Sequence, residues 1–118
     1  MDEQIQLAKR AEVVKLDFVF KPDSLFAHPK IIFHAGGTTG IDPTLTLTTI
    51  AEQTTHIGLV TTMSTASYPP YIIARQLQSL HWISNGRAGW NIVTSIDGGE
   101  NFGQMERPSS EERYAKAT

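Results

Sequence analysis

The chain has 118 residues, 40% of them hydrophobic and 19% charged, with a formal net charge of −2. That is an ordinary globular composition, long enough for one domain with a modest core. The near-neutral charge offers no basic patch and argues against nucleic acid as a partner, and the absence of cysteine excludes disulfides, thiolate zinc sites and thiol nucleophiles.

The start, Met1-Asp2-Glu3-Gln4, is acidic and polar, unlike a signal peptide. No apolar run approaches membrane-spanning length, so the expectation is a cytoplasmic protein with no membrane partner. Residues 2–15 read as a helix capped by Asp2, with Leu7, Ala11 and Val14 on one apolar face at i, i+4, i+7. Leu16-Asp17-Phe18-Val19-Phe20 then reads as a short buried strand, ended by Lys21-Pro22. Residues 24–41 read as a long loop punctuated by Pro29, Gly36, Gly37 and Gly40, and loops of that length are uncommon unless functional or disordered.

Asp42-Pro43 has the form of a helix start, an N-cap followed by proline at the first position. Leu47, Ile50, Ala51 and Thr54 give that helix one face, to about Thr55. Residues 57–62 predict a second strand, followed by polar Met63-Ser64-Thr65. Pro69-Pro70 opens a further helix with Ile73, Leu77 and Leu80 buried. Then comes the most informative stretch, residues 84–95. Asn85-Gly86 suits a left-handed helix stop, and Trp90 to Ser95 reads as a third strand with polar Thr94 and Ser95 at its end. Asp97-Gly98-Gly99 turns the chain, and residues 109–118 restart a helix capped by Ser109 or Ser110.

Strands alternating with helices predict parallel pairing with right-handed crossovers. Strands near 17–20, 57–62 and 90–95 should therefore be parallel neighbours in that order. Three such strands fit a small open sheet or part of a (β/α)8 barrel, and periodicity alone does not separate the two. In either case ligands bind beyond the carboxyl ends of the strands.

Asn85-Gly86-Arg87-Ala88-Gly89-Trp90-Asn91-Ile92-Val93-Thr94-Ser95 closely resembles the central signature of the bacterial-luciferase-like flavin-dependent monooxygenases. The nearest branch is the nitrilotriacetate and dibenzothiophene-sulfone group. The resemblance runs from Glu3 to Tyr114. It implies an α/β fold, a partial (β/α)8 TIM barrel comprising roughly the family's strands two to four. Residues 1–118 would then form an incomplete domain of a truncated chain, by itself inactive.

The resemblance also implies site residues. Asp23 matches a family aspartate beside the flavin, although a turn aspartate capping its own loop is the plain alternative. Ser64 matches a position touching the flavin ring, the alternative being a serine bonded to nearby backbone. In Glu111-Glu112-Arg113-Tyr114, Tyr114 matches a flavin-contacting tyrosine, and Ser110 stands where the family has a flavin-contacting histidine. Asn91 and Ser95 are expected in the wall of the substrate pocket. Arg87 reads as a solvated turn residue. His81, where the family has aspartate, reads as a helix-end residue, and Trp82 and Trp90 as core or interface.

No catalytic residue stands out, and His28, His34, His56 and His81 lack metal-ligand spacing, so no metal is expected. The function implied is oxygenation of a small organic substrate with O2 and FMN, the flavin arriving reduced from a partner flavin reductase. Two other readings stand beside it: a non-catalytic remnant acting as an interaction module, and a flavin or deazaflavin enzyme that transfers hydride. An open part-barrel also implies a homo-oligomer, because it exposes strand edges and an apolar interior.

Overall fold

In the computed structural model, residues 1–25, 40–95, 97–104, 106 and 108–118 are described. His28, Pro29, His34, Gly36 and Gly37 lie outside the described residues. The elements run α1 (Asp2–Val13), β1 (Phe18–Lys21), α2 (Pro43–Ala51), β2 (Gly58–Ser64), α3 (Pro70–Ile83), β3 (Ala88–Val93), a 3-10 turn (Gly99–Phe102) and α4 (Ser110–Ala117).

The strands form one parallel sheet in the order β1-β2-β3. That is the predicted order and direction. The pairing Val19–Leu59–Ala88 fixes the register. Side chains alternate across a strand, so Val19, Leu59 and Ala88 share one face. There they meet Ala8 and Ala11 of α1, Leu47, Ile50 and Ala51 of α2, and Leu80 of α3. The opposite, concave face carries Phe18, Phe20, Val60, Thr62, Asn91 and Val93 by the same alternation. Phe18 and Phe20 are 55% and 48% exposed, so β1 is not the buried strand that its composition predicts.

Other details differ from expectation: α2 ends at Ala51 rather than near Thr55, and β2 runs Gly58–Ser64 rather than 57–62. Asp2 is the first helical residue rather than the cap, which is Met1. α1 buries Ala8 and Ala11 with Ile5 beside them, while Leu7 and Val14 are 67% and 68% exposed. The helix therefore meets the core through Ile5, Ala8 and Ala11 and turns Leu7 and Val14 outward. β3 starts two residues early, at Ala88, and stops at Val93, leaving Thr94 and Ser95 beyond the ladder.

The helix punctuation holds. Asp42 caps α2 by accepting from the Leu45 N–H at 3.0 Å, with Pro43 at the first position. Asn85 and Gly86 both adopt positive φ after α3. Ser109, rather than Ser110, caps α4 through a capping box with Glu112.

Arg87 corrects its reading as a solvated turn residue. Its Nε donates to the Ser84 carbonyl, Nη1 to Thr54 Oγ1 and the Ile57 carbonyl, and Nη2 to the Ala51 and Thr54 carbonyls, all at 2.7–3.0 Å. All five guanidinium N–H donors are used, on the Ala51 and Thr54 carbonyls at and after the end of α2, the Ile57 carbonyl before β2, the Ser84 carbonyl at the end of α3 and the Thr54 hydroxyl. Glu12 acts similarly on the same edge. One carboxylate oxygen accepts the backbone N–H groups of Thr55, His56 and Ile57. These bonds hold its carboxyl below the usual carboxylate range. Together Arg87 and Glu12 tie α1, α2 and α3 to the amino end of the sheet. No helix among the described residues is long and apolar enough to cross a membrane.

Candidate functional site

The carboxyl edge is built differently. β1 ends at Lys21, followed by Pro22 and Asp23. β2 ends at Ser64, and Ser95 stands two residues beyond β3. Parallel pairing places all three at one edge of the sheet. Ser64 is fully buried, and its Oγ accepts the Ala66 N–H at 3.3 Å. That is the local bond expected of a strand-end serine.

Just inside the edge, Asn91 Nδ2 donates to Thr62 Oγ1 at 3.2 Å, and Thr62 Oγ1 donates to the Lys21 carbonyl at 2.8 Å. This relay spans all three strands on the concave face. Asn91 therefore lies where a barrel interior would be, with its amide oriented by the relay. Trp90, on the helix-facing side, donates its indole N–H to the Met63 carbonyl at 3.2 Å and is half-buried. Trp82 is 73% exposed and takes no part in the core.

The loop after β3 folds back over this edge. Gly98 is buried with φ +94, and a Cβ there would stand 2.6 Å from the Leu25 backbone carbon. Only glycine fits both the angle and the space. Asn101 Nδ2 bonds the Leu25 carbonyl at 2.6 Å, linking the loops that follow β1 and β3. The Phe102 ring meets Tyr68 edge-on with centroids 5.5 Å apart. Gln104 Nε2 and Lys116 Nζ both donate to the Ala66 carbonyl, at 3.3 and 2.7 Å, which ties the loop and α4 to the end of β2.

Between these elements lies a cavity of about 300 Å³ walled by Ser67, Ser95, Gln104 and Arg113 together with the acidic Glu100 and Glu106. Ser95 has φ +31, a sparsely populated conformation for a residue with a side chain. Arg113 Nη2 donates to Ser110 Oγ at 3.1 Å, and Arg113 Nε is sealed from solvent without a partner among the described residues.

The titratable groups of the edge are also perturbed. Partial loss of water pushes the Asp23 carboxyl up, and the Asp42 charge adds to this; the Ser24 N–H and Lys21 oppose it. Burial pushes the Tyr68 phenol up, with Asp23 and Asp42 contributing. The three groups thus form one electrostatic cluster at the mouth of β1 and β2. No group of metal-ligating side chains occurs among the described residues.

The sequence-derived site residues are only partly gathered. Asp23, Ser64, Asn91 and Ser95 share the carboxyl edge, and Ser95 reaches the cavity wall. Ser110 is exposed at the first turn of α4 and meets the cavity only through Arg113. Tyr114 is 64% exposed and does not line that cavity. Tyr68 and Arg113 were missed. An aromatic immediately before Pro69-Pro70, and an arginine one residue before Tyr114, were the available signals.

A family model described as luciferase-like monooxygenase matches residues 1–117. The chain belongs to the luciferase-like monooxygenase family. It is 39% identical to nitrilotriacetate monooxygenase component A of Aminobacter aminovorans, over 95% of this chain and 27% of that protein. It is 33% identical to dibenzothiophene-sulfone monooxygenase of Rhodococcus erythropolis, over 94% of this chain and 27% of that protein. Both expected branches of the family are thus represented. The fold superposes on a crystal structure of riboflavin lyase with modified FMN and riboflavin, with a TM-score of 0.83 and 31% identity. That match covers 98% of this chain and 28% of the other. The chain thus spans about a quarter of the length of these luciferase-like relatives, and its sheet is a part of their TIM barrel.

Proposed function

We propose that these residues form the β1–β3 quarter of an FMN-dependent monooxygenase that takes reduced flavin from a partner reductase and oxygenates a small organic substrate with O2. Family membership over residues 1–117, joined to a polar, perturbed carboxyl edge, supports this reading. The name component A of the Aminobacter relative suggests the separate reductase.

The donor set fits a flavin. A heteroaromatic ring edge with carbonyls and an N–H needs neutral donors and acceptors, and the edge offers the Ser64 hydroxyl, the Asn91 amide and the Tyr68 phenol. FMN, when bound in its reduced form, supplies the activation of O2 that no side chain can perform. The chain's own residues bind and orient. Asp23, its carboxyl pushed up by partial loss of water, can accept a hydrogen bond from the ring N–H at the edge. Ser64, fixed by its bond with the Ala66 N–H, sets the ring's distance from β2. Asn91, oriented through Thr62, forms the floor beneath the ring. The loop held at Leu25 by Gly98 and Asn101 keeps water from the carboxyl edge. Tyr114 and Ser110 join the flavin site only once the exposed face of α4 is covered. By itself the 118-residue polypeptide leaves the concave face open, and we expect it to self-associate and not to turn over.

The test is a chimera in which this chain replaces the matching segment of nitrilotriacetate monooxygenase component A. It should consume O2 and form product only with reduced FMN. Asp23→Ala and Ser64→Ala should lower flavin affinity about tenfold each, the worth of one hydrogen bond to a charged or oriented group. A folded chimera that retains no flavin refutes the assignment. Turnover without O2 favours hydride transfer instead.

A further inference from the structure

The amino end of the sheet holds a reactive pair that the flavin chemistry does not use. Asn85 is followed by Gly86, and both residues are exposed. In such a pair the glycine nitrogen can attack the asparagine side-chain amide, because the glycine has no Cβ to shield it. Asn91 and Asn101, the other asparagines, precede Ile92 and Phe102, whose side chains hinder the same attack.

The fold holds the pair closed. The Gly86 N–H donates to the His81 carbonyl at 2.8 Å, and the Asn85 N–H to the Trp82 carbonyl at 3.2 Å. Asn85 and Gly86 take φ +53 and +90 as parts of this helix cap. Buried Ser84 joins the cap to the Arg87 fork. Its Oγ donates to the His81 carbonyl at 3.3 Å and accepts the Arg87 N–H at 3.2 Å, and its carbonyl accepts Arg87 Nε at 2.7 Å. To react, the Gly86 nitrogen must give its proton to a solvent base and swing onto Asn85 Cγ. While the cap is closed, that proton is held by the His81 carbonyl and the backbone is fixed in a left-handed turn. Opening the last turn of α3 releases both restraints.

We propose that Asn85 is a site of spontaneous deamidation gated by this cap, so that opening of the amino end is written into the chain as an irreversible covalent change. The bond from Gly86 N to Asn85 Cγ forms, the Cγ–Nδ2 bond breaks, and Nδ2 leaves as ammonia. Water then opens the five-membered imide. Attack at Cγ gives aspartate, and attack at the backbone carbonyl carbon gives isoaspartate. One water enters and one ammonia leaves, with no oxidant or reductant. Both products oppose reclosure. Either carboxylate stands at the negative end of α3. Isoaspartate also adds a methylene to the backbone two residues before Arg87, whose five bonds depend on contacts of 2.7–3.0 Å.

The test is to incubate the 118-residue chain at neutral pH in heavy-oxygen water, folded and in unfolding urea. Mass spectrometry of the tryptic peptide 76–87 reads the amide-to-acid change, and labelling by an isoaspartyl methyltransferase reads the isoaspartate share. Breaking one hydrogen bond can account for up to about tenfold, and two close the cap, so the folded chain should react at least about tenfold more slowly than the unfolded one. In sub-denaturing urea, hydrogen exchange at the Gly86 amide and deamidation should rise together. Arg87→Ala, held where its circular dichroism is native, should deamidate at least about threefold faster than the parent. If that variant does not fold, the urea series on the parent decides. Asn85→Gln should lose the isoaspartate label. Equal rates in folded and unfolded chain overturn the proposal, as does Gly86 exchange that rises without deamidation. Label that persists in Asn85→Gln places the reaction elsewhere and overturns it too.

Discussion

Replacing Arg87 tests whether the amino end of the sheet is held by one side chain. The guanidinium reaches the Ala51, Thr54, Ile57 and Ser84 carbonyls and Thr54 Oγ1. A hydrogen bond to a charged group contributes about 1.5–3 kcal/mol net. Five such bonds do not add, because they share one side chain and one backbone shift can weaken several. Arg87 is also only half-buried, so water can reach some of the abandoned carbonyls. Allowing for both, Arg87→Ala should cost about 3 kcal/mol, near the low end of what breaking a buried charged contact costs. Against a total of roughly 6–18 kcal/mol for a chain of this size, that is a large share. With a urea m-value of about 1.5 kcal/mol/M, the midpoint should fall by about 2 M. Arg87→Lys keeps the charge but has three donors on one nitrogen, which cannot reach carbonyls on both α2 and α3. It should recover less than half of the loss. The assay is urea unfolding followed by far-ultraviolet circular dichroism. An Arg87→Ala midpoint within about 0.3 M of the parent would refute the clamp, because that is the size of an ordinary surface substitution.

Three further outcomes follow from the same contacts. Glu12 is held below its usual value of 4.5 in the fold, so its contribution is present above that pH and is lost as pH falls through the folded value; the acid unfolding of Glu12→Gln should show a weaker pH dependence below about 4.5, and identical profiles would remove Glu12 from the clamp. Gly98→Ala should cost about 1–3 kcal/mol, because it combines a left-handed φ with a Cβ inside the Leu25 backbone; limited proteolysis should cut its β3–α4 loop faster than the parent's, and equal rates would show that the loop can shift freely. Ser110→His, placed in the chimera, should tighten FMN about tenfold if this position reaches the flavin, the worth of one charge-assisted hydrogen bond; unchanged affinity in a fluorescence titration would leave Ser110 a partner of Arg113 only.

The order and direction of the strands were legible because their signals are local. Asp42-Pro43, Pro69-Pro70 and Asn85-Gly86 each fix a helix end through backbone chemistry within a few residues. The face of α1 was not legible. Leu7, Ala11 and Val14 satisfy helical spacing, but Ala8, Ala11 and Ile5 satisfy it too. The choice depends on how much room the sheet leaves, which no window of α1 contains. The roles of Arg87 and Glu12 were not legible for a related reason. Apart from the Ser84 carbonyl, their partners lie 30–45 residues away, and a charged side chain carries no mark of distant carbonyls or amides. At the site, Asp23, Ser64, Asn91 and Ser95 could be placed because strand ends are predictable. Arg113 could not, since its role depends on a cavity that three separate segments enclose.

The two ends of this sheet are in opposite energetic states, and that difference separates stability from function. At the amino end every donor of Arg87 has an acceptor, and one Glu12 oxygen collects three amides. Such a network has nothing left to offer a ligand. At the carboxyl end Arg113 Nε lacks a partner among the described residues, Ser95 sits at positive φ, and Asp23 and Tyr68 are both pushed up. The Arg113, Ser95 and Asp23 features are each a cost that the fold alone does not recover, and a bound molecule can. Asp23 gives this a sign. A carboxyl whose folded pKa lies above its ordinary value of 3.8 destabilises the fold once both states are ionised, and the penalty fades as pH falls through the folded value. Asp23→Asn should therefore leave the chain as stable as the parent or more so at neutral pH, while weakening the flavin in the chimera. Arg87→Ala should do the reverse, lowering stability with little change in flavin affinity at a temperature where the chimera is folded. Parallel losses of stability and affinity in both variants would mean that the two ends are one cooperative unit, and the division would fail.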